Sequence, residues 1–363
     1  MKVAIIGAGI AGLSCAYTLE KYGITPVIFE RNSFIGEQWA HVGLALKVFH
    51  RPINDVVKFF KNQFDIKINP LHSINTIIHH SPNKNIAIKG NFGYSFYRGK
   101  EPYSFKKQLH SHLKKTKIVF NTFADYKELC KKYDYVVIAN GSNIFTQELG
   151  CWQTWLTAEA IGAIVLGDFD PSTIEMWINK DYCNSGYAYL APINEKKAVL
   201  ILAITNIVKE QAKEYWELFL YTENINYKIV EEFQVSHKKP GFAYPHAINN
   251  ILFAGNAGGA IDPFLSFGQI DSLIQGCLAA KAIAKGKDYD ILLKSVTKNH
   301  LRIHEFRKAF NRLENSDYDK LVSLISFPGL KQLFYDTPFN VVKAGGFLLG
   351  MMNKTFTDKR IKN

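Results

Sequence analysis

The sequence predicts an α/β protein in which a parallel, Rossmann-type sheet with helices is interleaved with an antiparallel sheet and followed by C-terminal helices. Three observations carry this. The first thirty residues read as strand, glycine turn, helix, strand. A strand, glycine turn and helix recur near residue 250. Between them lie short apolar segments separated by turn residues, which is how antiparallel strands look in a sequence.

The opening unit is the most informative. Val3-Ala4-Ile5-Ile6 breaks into Gly7-Ala8-Gly9-Ile10-Ala11-Gly12 and then into a helical stretch, Leu13 to Tyr22. Gly23 stops that helix, Pro26-Val27-Ile28-Phe29 reads as a second strand, and Glu30 stands at its end. Gly7 permits the tight turn, Gly9 lets a pyrophosphate approach the backbone, and Gly12 lets helix and strand pack closely. The phosphates then sit over free N–H groups at the positive end of the helix dipole. Glu30 can accept hydrogen bonds from both ribose hydroxyls of an adenosine moiety, and its charge would repel a 2′-phosphate. A dinucleotide is therefore expected against Gly7, Gly9, Ala11, Gly12, Glu30 and Arg31.

The later unit decides which dinucleotide. Asn250-Ile251-Leu252-Phe253-Ala254 reads as a buried strand and runs into Gly255-Asn256-Ala257-Gly258-Gly259-Ala260. Then come Ile261-Asp262-Pro263-Phe264-Leu265-Ser266-Phe267-Gly268 and a helical stretch from Gln269 to Ala284. A second glycine turn at a helix start is placed to meet a second part of a long ligand. The ribityl chain and ring of FAD need such a site, whereas NAD on a simple Rossmann domain does not. FAD is the expected cofactor, held non-covalently, with Gly255, Asn256, Ala257, Gly268 and Gln269 in its site.

On these motifs the chain resembles the flavoprotein family of geranylgeranyl reductases, para-hydroxybenzoate-type hydroxylases and flavin-dependent halogenases. That family's late motif usually reads GDAAG, then a proline, then a glycine opening a helix beside the flavin. Gly255, Asn256, Ala257, Gly258, Pro263 and Gly268 fall on those positions, with Asn256 replacing the usual Asp. Tyr133 to Ser142 resembles the family strand ending in ADG, again with an Asn, at Asn140; a turn after a sheet strand is an equal reading. Arg98 resembles the family arginine that reaches toward the flavin. Gly186-Tyr187-Ala188-Tyr189-Leu190-Ala191-Pro192 matches the reductase stretch GYxWxFP; halogenases carry WxWxIP, so Tyr at both Trp positions counts against halogenation. Phe34-Ile35-Gly36-Glu37-Gln38 keeps Gly36 and Glu37 of the reductase CGEG-like segment but has Ile35 for its cysteine, which excludes a mechanism through that thiol.

The antiparallel part follows from the segments between the motifs. Ile77 to Lys89 reads as a hairpin around Ser81-Pro82-Asn83, and Ile161–Leu166, Thr173–Ile178, Gly186–Leu190 and Ala198–Thr205 read as strands. From about Tyr289, Leu292, Val296, Ile303, Phe306, Phe310 and Leu313 recur at helical spacing. The expected organisation is an FAD-binding domain in three parts, 1–75, 92–150 and 241–287. A substrate-domain hairpin spans 76–91, a substrate domain 151–240 and a C-terminal helical region 288–363.

Composition narrows the class. The 363 residues are 47% hydrophobic and 21% charged, as in an ordinary globular protein. The net charge of +12 is spread along the chain and forms no arm for nucleic acid. Five dispersed cysteines with no CxxC predict a reducing compartment rather than a disulfide framework. No secretion signal is read, and no apolar run approaches the ~20 residues needed to span a bilayer. A cytoplasmic protein is expected. Phe347 to Met352 with the basic tail Lys354 to Lys362 suits either docking on the protein's own core or peripheral contact at the inner face of the membrane.

The resemblance implies an FAD-dependent oxidoreductase that reduces a carbon–carbon double bond of an apolar isoprenoid or lipid-like substrate by hydride transfer from reduced flavin. With no second GxGxxG, electrons come from an external donor, NAD(P)H or ferredoxin. Tyr187, Tyr189 and His246 are the candidate proton donors, although aromatic packing in a half-buried sheet is the ordinary reading of the tyrosines. The alternatives are a flavin-dependent aromatic monooxygenase and a non-catalytic flavin- or lipid-binding protein. No metal is expected.

Overall fold

The structure, a computed structural model, describes residues 1–37, 39–332 and 335. The chain opens with β1 (Val3–Ile6), α1 (Ile10–Lys21), β2 (Val27–Phe29) and β3 (His41–Leu46). Next come α2 (Val56–Phe64), β4 (His72–Ser81), β5 (Lys84–Arg98), α3 (Phe105–Ser111) and β6 (Lys117–Val119). The middle contains α4 (Tyr126–Lys132), β7 (Tyr135–Ile138), α5 (Ile144–Glu148), β8 (Trp152–Thr154), β9 (Ala158–Leu166) and β10 (Thr173–Trp177). It continues through α6 (Lys180–Cys183), β11 (Tyr187–Asn194), β12 (Lys197–Thr205), α7 (Ala212–Thr222) and β13 (Lys228–Lys238). Then follow β14 (Gly241–Ala243), β15 (Ala247–Ile248), β16 (Ile251–Phe253), α8 (Gln269–Lys285), α9 (Tyr289–Phe310), α10 (Asn315–Ser326) and α11 (Pro328–Lys331).

Two sheets organise these elements. A six-stranded sheet runs β15-β16-β7-β1-β2-β6, parallel throughout except for the short β15 edge. Its central strands are buried on both faces, which explains their unbroken Val/Ile/Ala runs. The second sheet has eight strands in the order β13-β9-β12-β11-β10-β4-β5-β3. It is antiparallel except where β10 meets β4 in parallel, because these two strands enter from separate insertions of the chain. The small β14–β8 ribbon stands apart from both sheets.

The hairpin read over 77–89 extends over 72–98, with Pro82 and Asn83 at its turn. β3, which the sequence did not mark as a strand, pairs with the end of that hairpin from His41↔Arg98 to Leu46↔Gly93. The stripe on α9 buries Ile303 and Phe310, with Leu293 rather than Leu292 as the fully buried leucine. Among the described residues no helix is long and apolar enough to cross a membrane. Phe347 to Met352 and the basic tail lie outside the described residues.

Helices α1 and α8 are mounted directly on one another. The Ser14 hydroxyl donates to the carbonyls of Ala11 and Leu273, each at 3.1 Å. Gly276 has no room for a Cβ, which would collide with the Ala11 carbonyl and the Ser14 hydroxyl. The two glycine motifs therefore open on one cleft.

Candidate active site

The cleft, of about 220 Å³, is walled by Gly9, Ile10 and Ala11 of the first motif and by Gly255, Asn256, Gly268 and Gln269 of the second. Each glycine has a separate role. Gly7 sits at φ +102°, and a Cβ there would stand 2.5 Å from the Ala139 carbonyl oxygen. Gly12 lies against the Gly7 carbonyl with no space for a side chain. At Gly9 a Cβ would meet only the Ala139 carbonyl oxygen, at 3.7 Å. The room at Gly9 is therefore left for a ligand, not for the protein.

Both helix starts are unsatisfied. The N-cap of α1 is Gly9 and that of α8 is Gly268, neither has a side-chain cap, and both helix starts line the cleft, where first-turn N–H groups are available to a ligand. Glu30 is buried at the end of β2, with Oε2 accepting from the Ala8 N–H at 2.7 Å and Oε1 from the Asn32 N–H at 2.9 Å. A carboxylate has about four lone-pair sites, so two remain for ribose hydroxyls. Gln269 donates from Nε2 to the Leu44 carbonyl at 3.2 Å, while its buried Oε1 has no partner. A ligand donor would satisfy that oxygen. Arg31 is exposed and does not line the cleft.

The substituted asparagines have local explanations. The Asn256 amide donates to the Gly141 carbonyl at 3.1 Å, tying the second motif to the loop after β7, a bond that a carboxylate could not donate. Asn140 closes a turn by accepting from the Ser142 N–H at 3.2 Å, while its neighbours Ala139 and Gly141 line the cleft.

Arg98 lines the cleft beside Lys106. Glu37, from the loop after β2, holds both: its Oε1 accepts from Arg98 Nε at 3.1 Å and Nη2 at 2.6 Å and lies 3.1 Å from Lys106 Nζ. Burial alone would raise the Glu37 pKa, but Arg98, Lys106 and then His41 outweigh it and hold the carboxyl at about 2. Lys106 and Gly43, which the sequence reading missed, are both cleft residues, and Gly43 is kept small by the Gln269 side chain. No motif marks either: Gly43 reaches the cleft through the pairing of β3 with β5, and Lys106 stands on α3, after β5.

β11 forms the opposite wall. Tyr187 and Tyr189 point the same way, with ring centroids 6.1 Å apart, and Phe267 packs edge-on against both. Tyr187 donates its hydroxyl to the Leu265 carbonyl at 2.5 Å, and Tyr189 to the Val42 carbonyl at 2.9 Å. Burial, then Tyr189 and Asp262, lift the Tyr187 phenol well above its ordinary pKa, and burial lifts Tyr189 against the opposing Arg98 charge. Both are protonated at neutral pH. His246 is elsewhere: it lines neither this cleft nor the cavity beside it, and Asp290 Oδ1 engages its Nδ1 at 2.6 Å. Among the described residues no His, Cys, Asp and Glu cluster could hold a metal ion.

Residues 2–160 match the family model DAO, described as FAD dependent oxidoreductase. The cofactor is FAD. The free helix starts, the space at Gly9, the open lone pairs of Glu30 and the orphaned Gln269 oxygen all fit it. A 36-residue stretch, 10% of this chain and 8% of that enzyme, is 56% identical to 15-cis-phytoene desaturase of Synechococcus elongatus. The fold is similar to that of a geranylgeranyl bacteriochlorophyll reductase-like protein from Thermoplasma acidophilum (TM-score 0.74, 17% identity, 96% of this chain and 98% of that one). It is also similar to the flavin-dependent halogenase CmlS (TM-score 0.62, 14% identity, 99% of this chain and 78% of that one). The match to the FAD dependent oxidoreductase model thus covers the first glycine motif, Glu30, Arg98 and Lys106, and the cleft faces the tyrosine wall of β11.

Proposed function

We propose that this chain is a reductase that uses FAD to saturate a carbon–carbon double bond in an apolar, isoprenoid or lipid-like substrate, with NAD(P)H or ferredoxin as the external donor. The observation that carries the reading is a second cavity, of about 160 Å³, which shares Tyr187 and Leu265 with the FAD cleft. Leu46, Ile77, Phe92, Met176, Phe264 and Ile325 are among its walls. Its polar side chains are few. His79 is pushed down to about 4 by burial and then by His80, so it is neutral at physiological pH. A small phenol would need converging polar groups, whereas an apolar chain binds through buried area at ~25 cal/mol per Å².

FAD, when bound, supplies the two-electron redox chemistry. The protein's part is to orient substrate and keep the site dry. Tyr187 stands at the boundary of cleft and cavity, with its hydroxyl fixed by Leu265. It carries a proton at neutral pH and is the group best placed to supply one to substrate carbon, once its bond to Leu265 is released.

The test is anaerobic. The FAD-loaded protein is photoreduced and mixed with a geranylgeranyl lipid, and the visible flavin spectrum is followed. Recovery of oxidised flavin, with a product heavier by two hydrogens, supports the reading. Turnover that requires oxygen and inserts it would make the protein a monooxygenase, and no recovery with any acceptor would leave a binding protein.

A further inference from the structure

Among the described residues, one permanent cation lines the cavity beyond Tyr187. Arg307 of α9 forms part of its wall and is 3% exposed. Its guanidinium lies over the Phe264 ring at 5.6 Å and the Phe310 ring at 5.9 Å. Among the described residues no carboxylate forms an ion pair with it, and its buried Nε has no hydrogen-bond partner. Asp262 acts on it only at a distance. That carboxylate is already committed to backbone donors: Oδ1 to the N–H groups of Phe264 and Leu265, at 2.9 and 2.7 Å, and Oδ2 to that of Phe267, at 2.8 Å.

A buried charge without a partner is expensive, and ring faces offset only part of that cost. Other buried or half-buried charges have a partner of opposite sign, as Glu37 has in Arg98 and Lys106 and Asp271 in His300, or backbone donors, as Glu30 and Asp262 have. Arg307 has neither among the described residues, and its opening is apolar. The cavity floor crosses the eight-stranded sheet from Tyr187 on β11 past Met176 on β10 and His79 on β4 to Phe92 on β5. Three strand spacings make this roughly 14 Å. Phe306 and Phe310 of α9 and Leu321 of α10 form the roof.

We infer that Arg307 is a recognition site for the carboxylate of an apolar-chain acid, whose chain lies along the cavity toward Phe92. A planar carboxylate matches the guanidinium fork and needs no second cation. A diphosphate carries more charge than one arginine can balance. The inference rests on the proposed function in treating this cavity as the substrate's, but binding at Arg307 is measured without turnover.

The test uses the FAD-loaded protein and calorimetric titration with dodecanoic acid, dodecanol and dodecyl phosphate. A hydrogen-bonded charge contributes ~1.5–3 kcal/mol, so the acid should bind about ten-fold or more tighter than the alcohol. In Arg307→Met that preference should disappear while flavin content stays the same, and Arg307→Lys should restore part of it. Equal binding of acid and alcohol to the natural protein overturns the inference even if neither variant folds. Tighter binding of dodecyl phosphate than of the acid overturns the choice of carboxylate. Acid binding with no flavin reoxidation by any unsaturated acceptor keeps this site and removes the reductase reading. Reduction of a neutral isoprenoid lipid, with no preference for acid over alcohol, does the reverse.

Discussion

Two cavities share one tyrosine and are built on opposite principles. The FAD cleft is made of backbone: free N–H groups at two helix starts, absent side chains at Gly9 and Gly43, and a few fixed polar atoms. The cavity beyond Tyr187 is made of side chains, one to three from each of several strands and helices. Backbone sites need particular residues at particular spacings. Side-chain cavities need only apolar volume, which many sequences supply. Substitutions should therefore separate the two sites cleanly.

The largest separation is expected at Gly9. Because a Cβ there meets nothing closer than 3.7 Å, Gly9→Val should fold with a normal circular dichroism spectrum yet purify nearly free of flavin. Full flavin occupancy in this variant would mean that the first motif is not the adenosine site. Glu30→Ala should be milder. Loss of hydrogen bonds to a charged acceptor, ~1.5–3 kcal/mol each, should weaken FAD about ten-fold or more, measured by fluorescence titration of the apo protein.

Met176→Trp tests the other cavity. It fills space between β10 and the roof, so dodecanoic acid binding should fall about ten-fold while the flavin-to-protein ratio stays unchanged. Loss of flavin would show that the two cavities are not independent.

The smallest effect is electrostatic. The Glu37 carboxyl is held at about 2, below its ordinary 4.5. A depressed carboxylate contributes stability that is fully present above about pH 4.5 and is lost as pH falls toward about 2. Glu37→Gln should therefore lower the thermal midpoint near neutral pH, and the gap to the natural protein should narrow on acidification. A gap that widens would reverse the assigned sign.

The same contrast explains what could be read in advance. β1, α1, β2 and the late strand–turn–helix were legible because local spacing specifies them: the glycines, the apolar runs and Glu30 are contiguous or nearly so. Tyr187 and Tyr189 were legible as a same-face pair from strand alternation, but not as the wall between two cavities. β3 escaped because His41-Val42-Gly43-Leu44-Ala45-Leu46 has no flanking turn signal, and its partners on β5 are distant in sequence, Leu46 pairing with Gly93 and His41 with Arg98. Arg98 and Glu37 were each noticed alone, yet their meeting depends on tertiary structure. His246 was chosen by residue type, and its role is set by Asp290, which no local pattern connects to it. No local pattern marks Arg307. Its isolation becomes visible only when Phe264 and Phe310 are folded around it.

The direct seating of α8 on α1 has a kinetic meaning. Gly276 lies against the Ala11 backbone, and at Gly255 even a Cβ would stand only 3.0 Å from Ala11 Cβ. The two ends of a long cofactor are thus gripped by surfaces with no hinge between them. The entropy of bringing those surfaces together is spent during folding rather than at binding. Stripped of FAD by mild chaotrope and dialysed, the protein should regain it in a single concentration-dependent phase, with no slow closure step following capture.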